Sequence, residues 1–157
     1  DRLSLLLATS LRESAEEMRL NPFGVTFLGP MPSESLLMFR RVLYPMVVWI
    51  HRQKRFRPNW EVEKILYIPL RELLDHDAYA CYRLRFIGTG AKGGQGYVQD
   101  FPCFRYRKNG EQEVLWGATF RIVMSFLETI FGFRVPPMGS LPVITNTLDE
   151  RYTNGSR

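Results

Sequence analysis

Glu13, Glu16 and Glu17 stand at i, i+3 and i+4 behind Arg12 in the run Arg12-Glu13-Ser14-Ala15-Glu16-Glu17. At about 3.6 residues per turn, that spacing puts the three carboxylates on one face of a helix. Like charges so placed repel, and helix formation does not ask for them. A hard divalent cation does: Mg²⁺ or Mn²⁺ is held by carboxylate oxygens together with the phosphate oxygens of a substrate. A solvated acidic helix face is the plainer alternative, and the glutamates alone do not decide between the two.

A second group with chemical potential is the basic run His51-Arg-Gln-Lys-Arg-Phe-Arg-Pro-Asn-Trp60. Lys54, Arg55 and Arg57 can steer or clamp a phosphate-bearing substrate; the plainer reading is a solvated connection between strands. Phe56 and Trp60 can stack on a base or simply pack. A nucleic-acid surface is not expected, because no second basic cluster of this density supports it. The glycine-rich stretch 88–96 lacks the Gly-x4-Gly-Lys-Ser/Thr order of a phosphate loop and reads as a hairpin loop. His51 and His76 are isolated, so no zinc spacing exists. Cys81 and Cys103, in apolar surroundings, read as buried free thiols of a reducing compartment, hence a cytoplasmic location.

The elements that must position these groups follow from hydrophobic periodicity. Leu3, Leu6, Leu7, Leu11, Ala15 and Met18 recur with a helical period, predicting an amphipathic helix over 2–20 that Asn21-Pro22 stops. Val25 to Leu28 reads as a strand. The apolar stretch 36–50 reads as strands broken at Pro45, after a loop that runs through Ser35. A strand is predicted over 61–68, then a short helix over 69–75 with proline in its first turn. Tyr79–Ile87 and Tyr97–Arg107 alternate as strands, with Tyr82, Leu84 and Phe86 sharing one side and Phe101, Cys103 and Tyr106 turned inward. Asn109-Gly110 marks a turn. Gly117–Phe131 returns to a helical period, with Phe120, Val123, Leu127, Ile130 and Phe131 as its stripe. Beyond it the chain turns proline-rich and then polar, predicting an extended, partly disordered tail over 134–157.

With 157 residues, 45% of them apolar, the chain is long enough to bury a core as one domain and is not compositionally disordered. A net charge of +5 favours anionic ligands such as phosphates without establishing nucleic-acid binding. No apolar run approaches the roughly 18 residues of a membrane span, and the first residues lack the layout of a signal peptide.

Three stretches carry a family resemblance. Arg12-Glu13-x-x-Glu16-Glu17-x-x-Leu20, preceded by Ala8-Thr9-Ser10-Leu11 and followed by Asn21-Pro22, resembles the second half of the Nudix box, the signature helix of the Nudix hydrolases. The stretch from Asn59-Trp60-Glu61 to Leu73-Leu74 is similar to the strand-then-helix segment of the coenzyme A pyrophosphatase-like branch. Phe101-Pro102-x-Phe104-x-Tyr106, followed by Val114-Leu115-Trp116-Gly117-Ala118-Thr119-x-Arg121-Ile122, looks like the closing strand and last helix of that branch.

The resemblance spans roughly residues 1–133. It implies an α+β fold, an α/β/α sandwich with a mixed sheet between helices, as a Nudix domain over 1–133 followed by the tail. On this resemblance the chain begins inside the box. The opening Gly-Gly, the first strands and the motif that singles out coenzyme A substrates are expected upstream of Asp1. A homodimer is expected to suit a sheet without those strands. The family usually has Gly where Arg19 stands, so Arg19 either lengthens the helix or takes a left-handed turn.

The implied activity is metal-dependent hydrolysis of a nucleoside diphosphate linked to another moiety, coenzyme A or a related dinucleotide among the candidates. Glu13, Glu16 and Glu17 would hold Mg²⁺ or Mn²⁺, and Arg12 would pair with a glutamate and fix its rotamer. Glu61 would supply a further acid or base, since many Nudix enzymes draw one from outside the box; its plainer reading is a half-exposed strand residue. The alternative class is a Nudix-fold binding or regulatory module that keeps the helix without catalysis.

Overall fold

A computed structural model describes residues 1–36, 41–87 and 97–149. Within them the chain is mixed α+β and divides into two compact units, Asp1–Tyr67 and Ile68–Arg157. The expected glycine-rich hairpin loop at 88–96 lies outside the described residues, as does the end of the expected tail, 150–157.

The first unit opens with α1 (Arg2–Met18). Asp1 caps it, its side chain accepting from the Leu3 N–H at 3.2 Å. The helix ends one turn short of proline because Arg19 goes left-handed, at φ 58° and ψ 37°. The N–H groups of Arg19 and Leu20 then bond to the carbonyls of Ala15 and Ser14, at 3.1 and 3.3 Å. Of the two options open to Arg19, the chain takes the turn that a glycine would make easily.

Asn21 caps the next turn through its side chain, and β1 (Val25–Pro30) follows. It pairs antiparallel with β4 (Met46–Ile50), with a bulge between Phe27 and Gly29. Between them β2 (Glu34–Leu36) and β3 (Arg41–Leu43) form a short antiparallel pair, where Ser35 was expected in a loop. Pro45 divides β3 from β4, as its missing N–H requires.

The predicted strand over 61–68 does not form: residues 62–69 are irregular. Val62, Ile65 and Ile68 are the half-buried positions, a period of three that no pleated strand with alternating faces can satisfy. The Asn59 turn also consumes the first donors, with the N–H of Glu61 on Asn59 Oδ1 and that of Val62 on the Asn59 carbonyl.

The second unit contains α2 (Leu70–Leu73), β5 (Tyr79–Ile87), β6 (Tyr97–Lys108), β7 (Glu111–Leu115), α3 (Gly117–Phe131) and β8 (Val143–Asp149). The strands form one sheet in the order β7-β6-β5-β8. Its pairs are antiparallel except β5 with β8, which is parallel, so the sheet is mixed. Asn109-Gly110 makes the β6–β7 turn, both residues at positive φ.

Both faces of this sheet carry a core. On one, Tyr79, Cys81, Phe104 and Tyr106 pack with Phe120 and Leu127 of α3 and with Leu73 and Leu141. On the other, Ala80, Tyr82, Leu84, Phe86 and Cys103 are buried with Phe101, Trp116 and Ile144 against them. Tyr106 therefore points opposite to Cys103, as residues an odd number apart on a strand must. In α3, Ile130 and Phe131 are exposed rather than part of the packed stripe.

Part of the expected tail is β8. The Cys81 N–H takes the Pro142 carbonyl at 2.9 Å, and Cys81 to Ile87 pairs with Val143 to Asp149. The β-branched residues Val143, Ile144, Thr145 and Thr147 suit a pleat. Asn146 adds a side-chain bond to the Tyr82 hydroxyl at 2.7 Å. Among the described residues, no helix is long and apolar enough to cross a membrane.

Candidate functional site

The acidic group lies in the C-terminal half of α1. Glu13 and Glu16 are exposed and Glu17 is half-buried. Arg12 Nη1 meets Glu16 Oε1 at 3.3 Å, an i, i+4 pair on a wet surface. Such pairs contribute about 0.3–0.5 kcal/mol. Of the three glutamates, Glu16 is the one that Arg12 meets.

Among the described residues, no group of three or more His, Cys, Asp or Glu side chains encloses a cation position. The donor chemistry nevertheless fits a hard divalent ion. Mg²⁺ keeps several waters and takes one or two carboxylates plus substrate phosphates, so a closed protein cage is not what this chemistry needs. Exposed glutamates on one helix face can supply that part of the shell by rotation about their side-chain bonds.

The basic segment is brought to the same helix by main-chain chemistry. The last carbonyls of any helix lack internal partners. Here the Asn59 N–H bonds to the Glu17 carbonyl at 2.8 Å, and the Arg57 N–H to that of Met18 at 3.1 Å. Residues 57–59 thus close the end of the helix whose last two turns carry the glutamates.

Gln53 completes the junction with both ends of its amide. Its Nε2 donates to the Arg19 carbonyl at 2.8 Å and the Arg55 carbonyl at 3.0 Å. Its Oε1 accepts from the Asn21 N–H at 2.7 Å. Sequence reading passed over Gln53 among its cationic neighbours. Its only signal was an amide able to donate and accept in a run of residues that only donate.

Lys54, Arg55 and Arg57 are all exposed. Glu61 is exposed too, and sits beside the Asn59 turn rather than on a strand, with its own N–H held by Asn59 Oδ1 at 2.8 Å. The two aromatics of the segment differ. Phe56 packs against Tyr67 with ring centroids 6.2 Å apart, and its N–H meets the Tyr67 hydroxyl. Trp60 is 82% exposed and presents its ring to solvent. The first unit therefore brings the basic segment, with the exposed Trp60 beside it, to the end of the helix that carries the carboxylates.

The titratable groups of the second unit do other work. Arg83 holds Asp100 across β5 and β6 by two bonds of 2.8 Å. That bonding lowers the Asp100 pKa and raises that of Arg83. Cys81 and Cys103 are free and buried, as expected. Burial pushes the Cys103 thiol up to about 11, against the opposing charge of Arg105. Burial also raises Cys81, with Asp100 adding to the shift. Neither is an activated thiolate.

Compared with known proteins, the chain matches no family model and no curated protein.

Proposed function

We propose that the protein is a metal-dependent pyrophosphohydrolase of the Nudix type, acting on a nucleoside diphosphate linked to a second moiety. The observation that carries this reading is the junction at the end of α1. The helix bearing Glu13, Glu16 and Glu17 is capped by the very segment that carries Lys54, Arg55 and Arg57. A diphosphate calls for both, cations against its own charge and carboxylates to hold a metal that would offset the rest. The left-handed turn at Arg19 adds support, since it reproduces the helix end that the family makes with glycine.

In this reading Glu13, Glu16 and Glu17 would hold Mg²⁺ or Mn²⁺, which when bound would supply charge neutralisation to the phosphate oxygens. Arg12 would pair with Glu16. Lys54, Arg55 and Arg57 draw in the diphosphate and fix its orientation. Trp60 offers its face to the base. Water attacks one phosphorus and the bridging P–O bond breaks, leaving two phosphate monoesters; Glu61 is the candidate to take the proton of that water.

The test is hydrolysis by the full chain with Mn²⁺ of dinucleotides, sugar nucleotides and coenzyme A, with product identification. Glu16→Gln with Glu17→Gln is expected to cut the rate by about a hundredfold or more. Undiminished hydrolysis in that variant removes the assignment.

One observation favours the second reading, a binding or regulatory module of the same fold: the glutamates do not converge, and Arg12 already engages Glu16. Titration with Mn²⁺ separates the two, because the module has no need of a divalent site.

A further inference from the structure

The geometry assigns Gln53 as the positioning residue that sets how tightly this site holds a diphosphate, an inference that rests on the function proposed above. Three bonds of 2.7–3.0 Å converge on this one side chain. Two of its partners, Arg19 and Asn21, belong to the turn that leaves α1, and the third, Arg55, to the basic segment. The amide thereby ties the segment to the helix end from one side, while Arg57 and Asn59 tie it from the other through the Met18 and Glu17 carbonyls.

Lys54 and Arg55 lie between these two ties, and Arg57 forms part of the second. Their charged ends are free to meet a ligand, but their main chain is fixed against the helix that carries the glutamates. Preorganisation of this kind raises affinity by removing the entropy of ordering a loop at the moment of binding. No other side-chain type of this length does the same. Glutamate keeps the acceptor for the Asn21 N–H but turns a carboxylate oxygen toward the Arg19 and Arg55 carbonyls. Asparagine is one methylene too short to span all three. Glu13, Glu16 and Glu17 lie on α1 itself, so the amide does not touch the metal donors.

The experiment is calorimetric titration of the full chain with inorganic pyrophosphate, with and without Mn²⁺, for wild type, Gln53→Ala and Gln53→Glu. Titration with Mn²⁺ alone and thermal denaturation accompany it. Gln53→Ala is expected to weaken pyrophosphate binding by about tenfold, the order expected from losing such bonds. Gln53→Glu should weaken it at least as much, with Mn²⁺ affinity held within about twofold in both variants. Unchanged pyrophosphate affinity in Gln53→Ala overturns the inference and leaves the proposed function standing. A joint collapse of Mn²⁺ affinity, pyrophosphate affinity and melting temperature also overturns it, showing Gln53 to be a fold residue only. Wild type that binds neither Mn²⁺ nor pyrophosphate removes the proposed function and the role of Gln53 with it. Binding of pyrophosphate without Mn²⁺ that still depends on Gln53 keeps the positioning role and removes the metal.

Discussion

Arg19 holds a left-handed backbone that costs an L-residue with a Cβ roughly 1–2 kcal/mol. The helix end needs that turn, since Gln53 and Asn21 are placed by it. Glycine adopts it freely but loses more freedom on folding, which returns part of the gain. Arg19→Gly is therefore expected to stabilise the protein by about 0.5–1 kcal/mol, and Arg19→Ile to destabilise it by more, because β-branched residues resist this region. Urea denaturation midpoints check both. The thiols give a pH dependence with a definite sign. An unfolded cysteine ionises near 8.5, while buried Cys103 keeps its proton to about 11. Through that window the folded chain binds more protons than the unfolded one, so stability falls as pH rises. The stabilisation is whole below about pH 8.5 and shrinks by at most about 1.4 kcal/mol per pH unit for this group. Cys103→Ala should flatten the loss between pH 8.5 and 10.5, measured by urea denaturation at successive pH values.

Elements whose own residues dictate them were legible in the sequence; those dictated by a partner were not. Tyr79–Ile87 and Gly117–Phe131 came out with their predicted bounds, because Tyr82, Leu84 and Phe86 alternate with Arg83 and Arg85 in one, and the other keeps a helical stripe through Phe120 and Leu127 and stops at Gly132. The 61–68 segment has the composition of a strand but a burial period of three, and composition cannot tell period two from period three without a packing surface. β8 was hidden for the opposite reason. Its alternation is masked by polar Thr145, Asn146 and Thr147, and its reason to be a strand is the free edge of β5. At the candidate site, residue types were legible in Glu13, Glu16, Glu17 and the basic run. The junction was not, because main-chain bonds from Arg57 and Asn59 leave no mark on side-chain identity. The load borne by α3 can be tested where its stripe is tightest. Leu127 is fully buried between the helix and the sheet. Leu127→Ala should cost about 2–5 kcal/mol, while Ile130→Ala on the exposed side should stay within about 0.5 kcal/mol, by the same denaturation measurement.

The two units differ sharply in what they bury. Among the described residues of the first, Leu20 is the one buried apolar side chain, and α1 buries none. The second holds Tyr79, Leu84, Cys103, Phe104 and Leu127 at essentially no exposure. Resistance to local opening follows buried apolar contact, so amide hydrogen exchange should be slowest in β5 and β6 and fastest in α1, β1 and β4. The three glutamates add repulsion to α1, and among the described residues the Arg12 pair is the one ion pair that offsets it. A ligand that binds only the folded helix shifts this balance by mass action. At about a hundred times its dissociation constant it adds about 2.7 kcal/mol to local stability, or close to a hundredfold in exchange rate. If the glutamates hold a divalent ion, Mn²⁺ at that excess should slow exchange across α1 by up to this factor and leave β5 unchanged. The double substitution Glu16→Gln with Glu17→Gln should exchange more slowly than wild type without metal, because the repulsion is relieved, and should lose the response to Mn²⁺. A helix that is only a solvated acidic face gives the first of those results without the second, since relief of repulsion needs no ion. The pair of measurements thus separates the carboxylates as an electrostatic cost of the fold from the carboxylates as a site that a cation completes.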